Sequence, residues 1–199
     1  MSKNNNILLI MSYIIFGIVT SSQVYADDVT DSINEGLQYY KDGKYTESAA
    51  SLNYAAQLIQ QKKGGSLKLL FPNPLKGWKA EEAKSDTGGT AFGAGINVSR
   101  EYNKGSSLVS IEIVADSPML QGIAMMFSNP MFAQSDGGKL KKIGGQKTIV
   151  KYDAANKSGE ILAIIANRFL ITIRGDDVSE NILIDYTKAF DFKKIAELP

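Results

Sequence analysis

The chain has 199 residues, with 22 Lys plus Arg against 21 Asp plus Glu, no cysteine and no histidine. The two absences exclude Ser-His-Asp and Cys-His triads, zinc sites built on imidazole or thiolate, CxxC redox chemistry and disulfide stapling. A charge balance near zero argues against a nucleic-acid surface, which concentrates Lys and Arg on one face.

Residues 7–19 (ILLIMSYIIFGIV) form a nearly unbroken apolar run preceded by one basic residue, Lys3. The run is shorter than the about 20 residues that span a bilayer. Polar residues 20–23 follow, and then Val24-Tyr25-Ala26 places small or aliphatic side chains three before and one before a cut ahead of Asp27. A weakly positive start, an apolar middle and such a cleavage site are the order of a secretory signal peptide. Residues 1–26 are therefore expected to be a signal peptide, with a retained membrane anchor as the other reading. The expected location is periplasmic or secreted, with no stable membrane span after cleavage. No cysteine follows the run, which closes the lipoprotein route. Cleavage removes one lysine and no acid, leaving 21 charges of each sign. The remaining length supports one core of ordinary size without disulfides. The pairs Lys62-Lys63 and Lys141-Lys142 read as solvated loop residues.

From Val29 to Lys62 apolar residues recur twice at helical spacing. Ile33, Leu37 and Tyr40 mark one face of a first helix, Asp42-Gly43-Lys44 breaks it, and Ala49, Leu52, Ala55, Ala56 and Ile59 mark a second. The segment 27–63 resembles a single tetratricopeptide repeat, a helical hairpin of about 34 residues. The resemblance rests on Gly36 and Tyr39 in the first helix, Gly43 and Tyr45 at the turn, and Ser48, Leu52 and Ala55 as small, large and small positions of the second. It departs from the family in having Ser48 in place of alanine and Gln60 in place of the closing proline. Small residues in that order allow close helix approach, with a bulky side chain filling the next hole. A lone hairpin cannot bury both of its apolar faces. It either packs on the following domain or offers a groove to a partner.

Residues 64–68, at the end of Lys62-Lys63-Gly64-Gly65-Ser66, read as a linker, after which the pattern becomes largely alternating. Pro72 and Pro74 hold the next stretch extended and deliver Trp78 to a strand start, as a core anchor or a ligand platform. The glycine-rich residues 88–95 match neither GxGxxG nor the nucleotide loop, and read as a flexible hairpin or bulged edge. Strands are predicted over 96–102, around Val109, Ile111 and Ile113, and over 148–152, 160–166 and 169–174. Lys104-Gly105 and Asn167-Arg168 are the expected turns. Ile161 to Ala166 has no polar side, which requires cover on both faces of the sheet. Residues 178–190, with Ser179 at the start, and 118–127 are the candidate covering helices. Asp116-Ser117-Pro118 reads as a cap for the second of these. Asp176-Asp177 reads as turn acids ahead of a helix.

The expected fold class is thus α+β: an N-terminal helical hairpin, then a largely antiparallel sheet with helices on both faces over residues 69–199. This element order, with Pro-Leu-Lys-Gly-Trp at its start and Lys-Lys-Ile-Gly-Gly-Gln-Lys at 141–147, resembles the PsbP-like group of α/β/α sandwiches. The resemblance implies an accessory or interaction protein, and no catalytic residue transfers from that group to this chain.

Beyond the leader every methionine (Met119, Met125, Met126 and Met131) falls in one thirteen-residue stretch, with Leu120, Ile123 and Phe127 inside it and Phe132 directly after it. At about 100° per residue, Met119, Leu120, Ile123, Met126 and Phe127 share one side and Met125 lies nearly opposite, which implies a second contact. Three readings are open: a buried helix with methionine as gap filler, an adaptable apolar surface for a partner or lipid-like ligand, and thioether capture of Cu(I). The residues singled out as an interaction or apolar-ligand surface are Met119, Ile123, Met125, Met126, Phe127, Met131, Phe132, Tyr39 and Tyr45. The expected function is that of an exported, non-catalytic accessory protein acting on a protein partner in the cell envelope. The alternative is a carrier of a small apolar ligand, and the third reading is an enzyme of another class. No cofactor, metal or catalytic residue is expected.

Overall fold

A computed structural model describes residues 27–86, 95–129, 131, 134 and 137–198. The expected signal peptide, most of the glycine-rich stretch and Phe132 lie outside the described residues.

Helix α1 spans Asp28–Lys41 and α2 spans Tyr45–Lys68. Asp27 caps α1 by accepting from the Val29 N–H at 3.3 Å, and Asp28 and Asp31 in the first turn suit the positive end of the helix dipole. The turn between the helices uses Gly43 at φ +72°. The two helices meet through small residues. Ser48 Oγ donates to the Gly36 carbonyl at 2.8 Å, and a methyl group on Gly36 would come within 2.8 Å of Leu52.

The stretch expected as a linker is helical: Lys62 to Ser66 lies inside α2. Each glycine there disfavours a helix by about 1 kcal/mol, and packing overrides it. Leu67 is fully buried in the core of the sheet domain, Gly64 sits against Ser85, and Lys63 ion-pairs with Asp116. The lysine pairs are not free loop cations either. Lys62 reaches Asp27 at 2.7 Å, and Lys141 pairs with Glu180.

The sheet consists of β1 (Lys79–Ala80), β2 (Lys84–Asp86), β3 (Ile96–Lys104), β4 (Ser107–Ala115), β5 (Lys139–Ile143), β6 (Gln146–Asp153), β7 (Ser158–Ile165) and β8 (Phe169–Asp176). Its order is β1-β3-β4-β8-β7-β6-β5, with β2 also on β3, and every pairing among the described residues is antiparallel. Helix α3 (Leu120–Ser128) lies between β4 and β5, and α4 (Glu180–Lys188) and α5 (Phe192–Ala196) close the chain. The protein is an α+β fold, a helical pair followed by an antiparallel sheet domain with helices on both faces.

Register sorts the strands into two faces. One carries Val98, Ile113, Ile171 and Ala163 in one row and Ile111, Ile173, Ile161 and Val150 in the next, all buried beneath α4, α5 and the end of α2. A third row runs Tyr102, Val109, Gly175, Gly159 and Tyr152. The adjacent glycines leave a depression into which α4 settles. A methyl group on Gly175 would lie 2.4 Å from Val178 and 2.6 Å from Leu183. Trp78 is a core anchor, edge-on to Tyr186 at 5.6 Å, and Tyr186 in turn lies 4.7 Å from Tyr102. The Tyr102 hydroxyl donates to the Pro72 carbonyl at 2.7 Å.

The other face is divided. Its upper half (Val114, Leu170, Ile164 and Ile149) is apolar and lies under Leu120 and Phe127 of α3. Its lower half is polar and charged: Arg174 reaches Glu160 at 2.8 Å and Glu112 at 3.4 Å, and Asn97 donates to Glu112 at 2.6 Å.

Two turns fall one residue from their expected places. Ala166 and Asn167, both at positive φ, are the central pair between β7 and β8, and Arg168 N–H closes the turn on the Ile165 carbonyl. Gly105-Ser106 joins β3 to β4. The cap reading of Asp116 is also corrected. Asp116 sits at φ +53° with its carboxylate on Lys63 and Arg168, and Ser117 Oγ accepts from the Met119 N–H at 3.3 Å instead. Ser179 holds the N-cap position of α4 without a side-chain cap bond.

Candidate functional site

The residues singled out in the sequence divide between two surfaces. On α3, Leu120 and Phe127 are buried, Ile123 and Met126 are half-buried against the same cluster and Met125 is exposed, as are Met119 just before the helix and Met131 beyond it. Met125 is 65 % exposed, so the second contact expected on that side of α3 is not made. The helix docks once, on the sheet. The space between α3 and the strands is occupied by Leu120 and Phe127. At the end of α3 a cleft of about 380 Å³ is bordered by Gln146, Lys147 and Asn167, a polar rim.

The second surface is the hairpin. Tyr39 is half-buried, under the Lys44 ammonium at 5.7 Å from its ring, and Tyr45 is exposed, 5.8 Å from the Tyr40 ring. The larger finding concerns Ile33, Leu37, Tyr40, Leu52 and Ile59, which helical spacing marks as packing faces. With Tyr45 they remain between 42 and 66 % exposed. The contact between the helices is taken by Ser32, Gly36, Ser48 and Ala55, which are buried and small. Close backbone approach at those positions leaves the bulky side chains on the flank, with Leu52 alone among them seated against Gly36. The signal for this was present in the order of small residues, whereas apolar periodicity alone does not tell a packed stripe from one beside it.

At about 100° per residue, Ile33, Leu37 and Tyr40 lie on the same flank of α1 relative to Gly36. Tyr45, Leu52 and Ile59 lie on the matching flank of α2. The acids of α1 fall on the opposite flank, where Glu35 accepts from Ser51 at 3.0 Å and Tyr39 at 3.4 Å. The hairpin thus has one neutral apolar flank and one acidic flank. The apolar flank ends at a cleft of about 380 Å³ between α2 and the C-terminal segment, lined by Ile59, Lys62, Lys63, Ser66, Leu67 and Leu198.

The base of the hairpin is fixed to the sheet at Asp116. Partial burial draws its carboxyl upward, but the Lys63 ammonium and the Arg168 guanidinium outweigh this and hold its pKa below the usual carboxylate value. Arg168 also donates to the Leu198 carbonyl at 3.0 Å, so α2, the end of β4, the β7–β8 turn and the C-terminus share one polar junction. Burial pushes the Tyr102 and Tyr186 hydroxyls up, Tyr186 to about 12, and both rings belong to the packed core.

Comparison with family models, with curated proteins and with solved structures yields no match to this chain.

Proposed function

We propose that this is an exported, non-catalytic accessory protein that acts by protein–protein contact in the cell envelope or outside the cell. In this reading the hairpin is a single tetratricopeptide-like repeat and the sheet domain a PsbP-like sandwich. The observation that carries it is the apolar flank of α1 and α2, six large side chains about half exposed on a hairpin anchored to the sheet domain by α2. Contiguous apolar surface of that extent marks an interaction site on a soluble protein. Tyrosine at such a surface supplies large contact area at low entropic cost. The absence of histidine and cysteine supports a binding role over a catalytic one.

The test is site-specific photocrosslinking in the native host, with a photoreactive residue at position 45 of the full chain. A discrete protein adduct that disappears in a Leu37→Ser background is the expected result. Absence of any adduct from position 45 would reject the interaction reading.

A further inference from the structure

We propose that the neutral flank of the hairpin is a homodimer interface, on which a second copy of this chain docks by the same surface. This rests on the interaction reading above and names its partner.

Three observations select a second copy. The first is area. Two tyrosines and four aliphatic side chains at their observed exposures present on the order of 600 Å² per copy. Complete burial of two such surfaces would remove about 1,200 Å² from water, the lower bound for specific, stable pairs.

The second is charge. An isologous contact sets every group of the patch against the same patch on its partner, so like charges within it would oppose association. The six residues of the flank are all uncharged, while Asp28, Asp31 and Glu35 lie on the flank turned away. Acid on one side and none on the other leaves one approach open to a second copy.

The third is shape. Two antiparallel helices with a shared apolar flank are half of a four-helix bundle, which closes when the same flank of a second hairpin is laid on the first. A two-fold axis near Leu37 and Leu52, mid-way along the flank, sets Tyr40 and Tyr45 of one copy against Ile33 and Ile59 of the other. The bulky residues left exposed beside the α1–α2 contact, with Leu52 seated at its edge against Gly36, then become the core between hairpins.

The test is sedimentation equilibrium of residues 27–199 across micromolar concentrations. The wild type is expected to be a dimer. Tyr45→Glu, which sets a carboxylate among the apolar side chains of the partner and removes a large ring, is expected to raise the dissociation constant at least about 30-fold. Position 45 is the first residue of α2, where glutamate is favoured, so this variant keeps its fold and its circular dichroism. Leu37→Glu provides a second disruption on the other helix. Tyr54→Glu, also on α2 and exposed but off the flank, is expected to leave the dimer intact. A monomeric wild type, or a dimer unaffected by both Tyr45→Glu and Leu37→Glu, overturns the proposal. If the wild type is monomeric and photocrosslinking at position 45 still yields an adduct of another protein, only the self-pairing is overturned. If both fail, the interaction reading falls with it.

Discussion

Side chains of the same types end in opposite places in the two regions of this protein. In the sheet domain Ile111, Ile161 and Ile173 have no exposed surface, whereas in the hairpin Ile33, Leu37 and Leu52 keep nearly half of theirs. The difference follows from the number of neighbours. An inner strand has a partner on each edge, and its apolar face here is closed by helices. Over the hairpin proper each helix has one neighbour and can bury one narrow stripe; only the end of α2 also packs on the sheet. In α1 and α2 that stripe is made of Ser32, Gly36, Ser48 and Ala55. Burial of large apolar side chains is therefore concentrated in the sheet, whereas the hairpin is held by close approach at small residues and displays most of its large ones.

The largest effect that would sharpen this contrast is expected in the sheet. Ile173→Ala removes a fully buried side chain at the centre of the main core and is expected to cost about 2–5 kcal/mol, read from chemical denaturation. A loss below 1 kcal/mol would mean that the sheet does not carry the core. A smaller effect is expected where the helices meet. Ser48→Ala deletes the bond to the Gly36 carbonyl and is expected to cost roughly 1 kcal/mol. The effect should be local, so hydrogen exchange in α1 is expected to rise while the amides of β4 and β8 stay protected. Equal acceleration in both regions would show that hairpin and sheet unfold as one unit.

The smallest effect belongs to the junction between the two regions. Asp116→Asn removes the carboxylate shared by Lys63 and Arg168, and because the side chain is 39 % exposed the expected loss is only roughly 0.5 kcal/mol. The sign with pH is set by the lowered pKa. The contribution is complete above the unfolded carboxylate value of about 4 and disappears as pH falls through the lower folded value. Wild type and Asp116→Asn should therefore differ at pH 7 and converge in strong acid. A gap that persists to the lowest pH at which both fold would assign the loss to packing.

Much of this was legible in the sequence alone. Alternation placed β3 and β4, the apolar stretches after Gly145 placed β6, β7 and β8, and the unbroken apolar run in β7 required helices on both faces, because period and polarity are properties of a strand's own residues. The hairpin and its small-large-small order were equally local. Three things were decided only by tertiary structure. Lys62 to Ser66 is helix, although its glycines read as a linker, because burial of Leu67 and the Lys63–Asp116 pair outweigh local propensity. Met125 faces outward, because the hairpin lies elsewhere and α3 has only the sheet to pack on. Ile33, Leu37, Tyr40, Leu52 and Ile59 form a displayed flank, because which stripe of an amphipathic helix is covered depends on how closely its neighbour approaches. That distance is a relation between two segments, and no periodicity within either one encodes it.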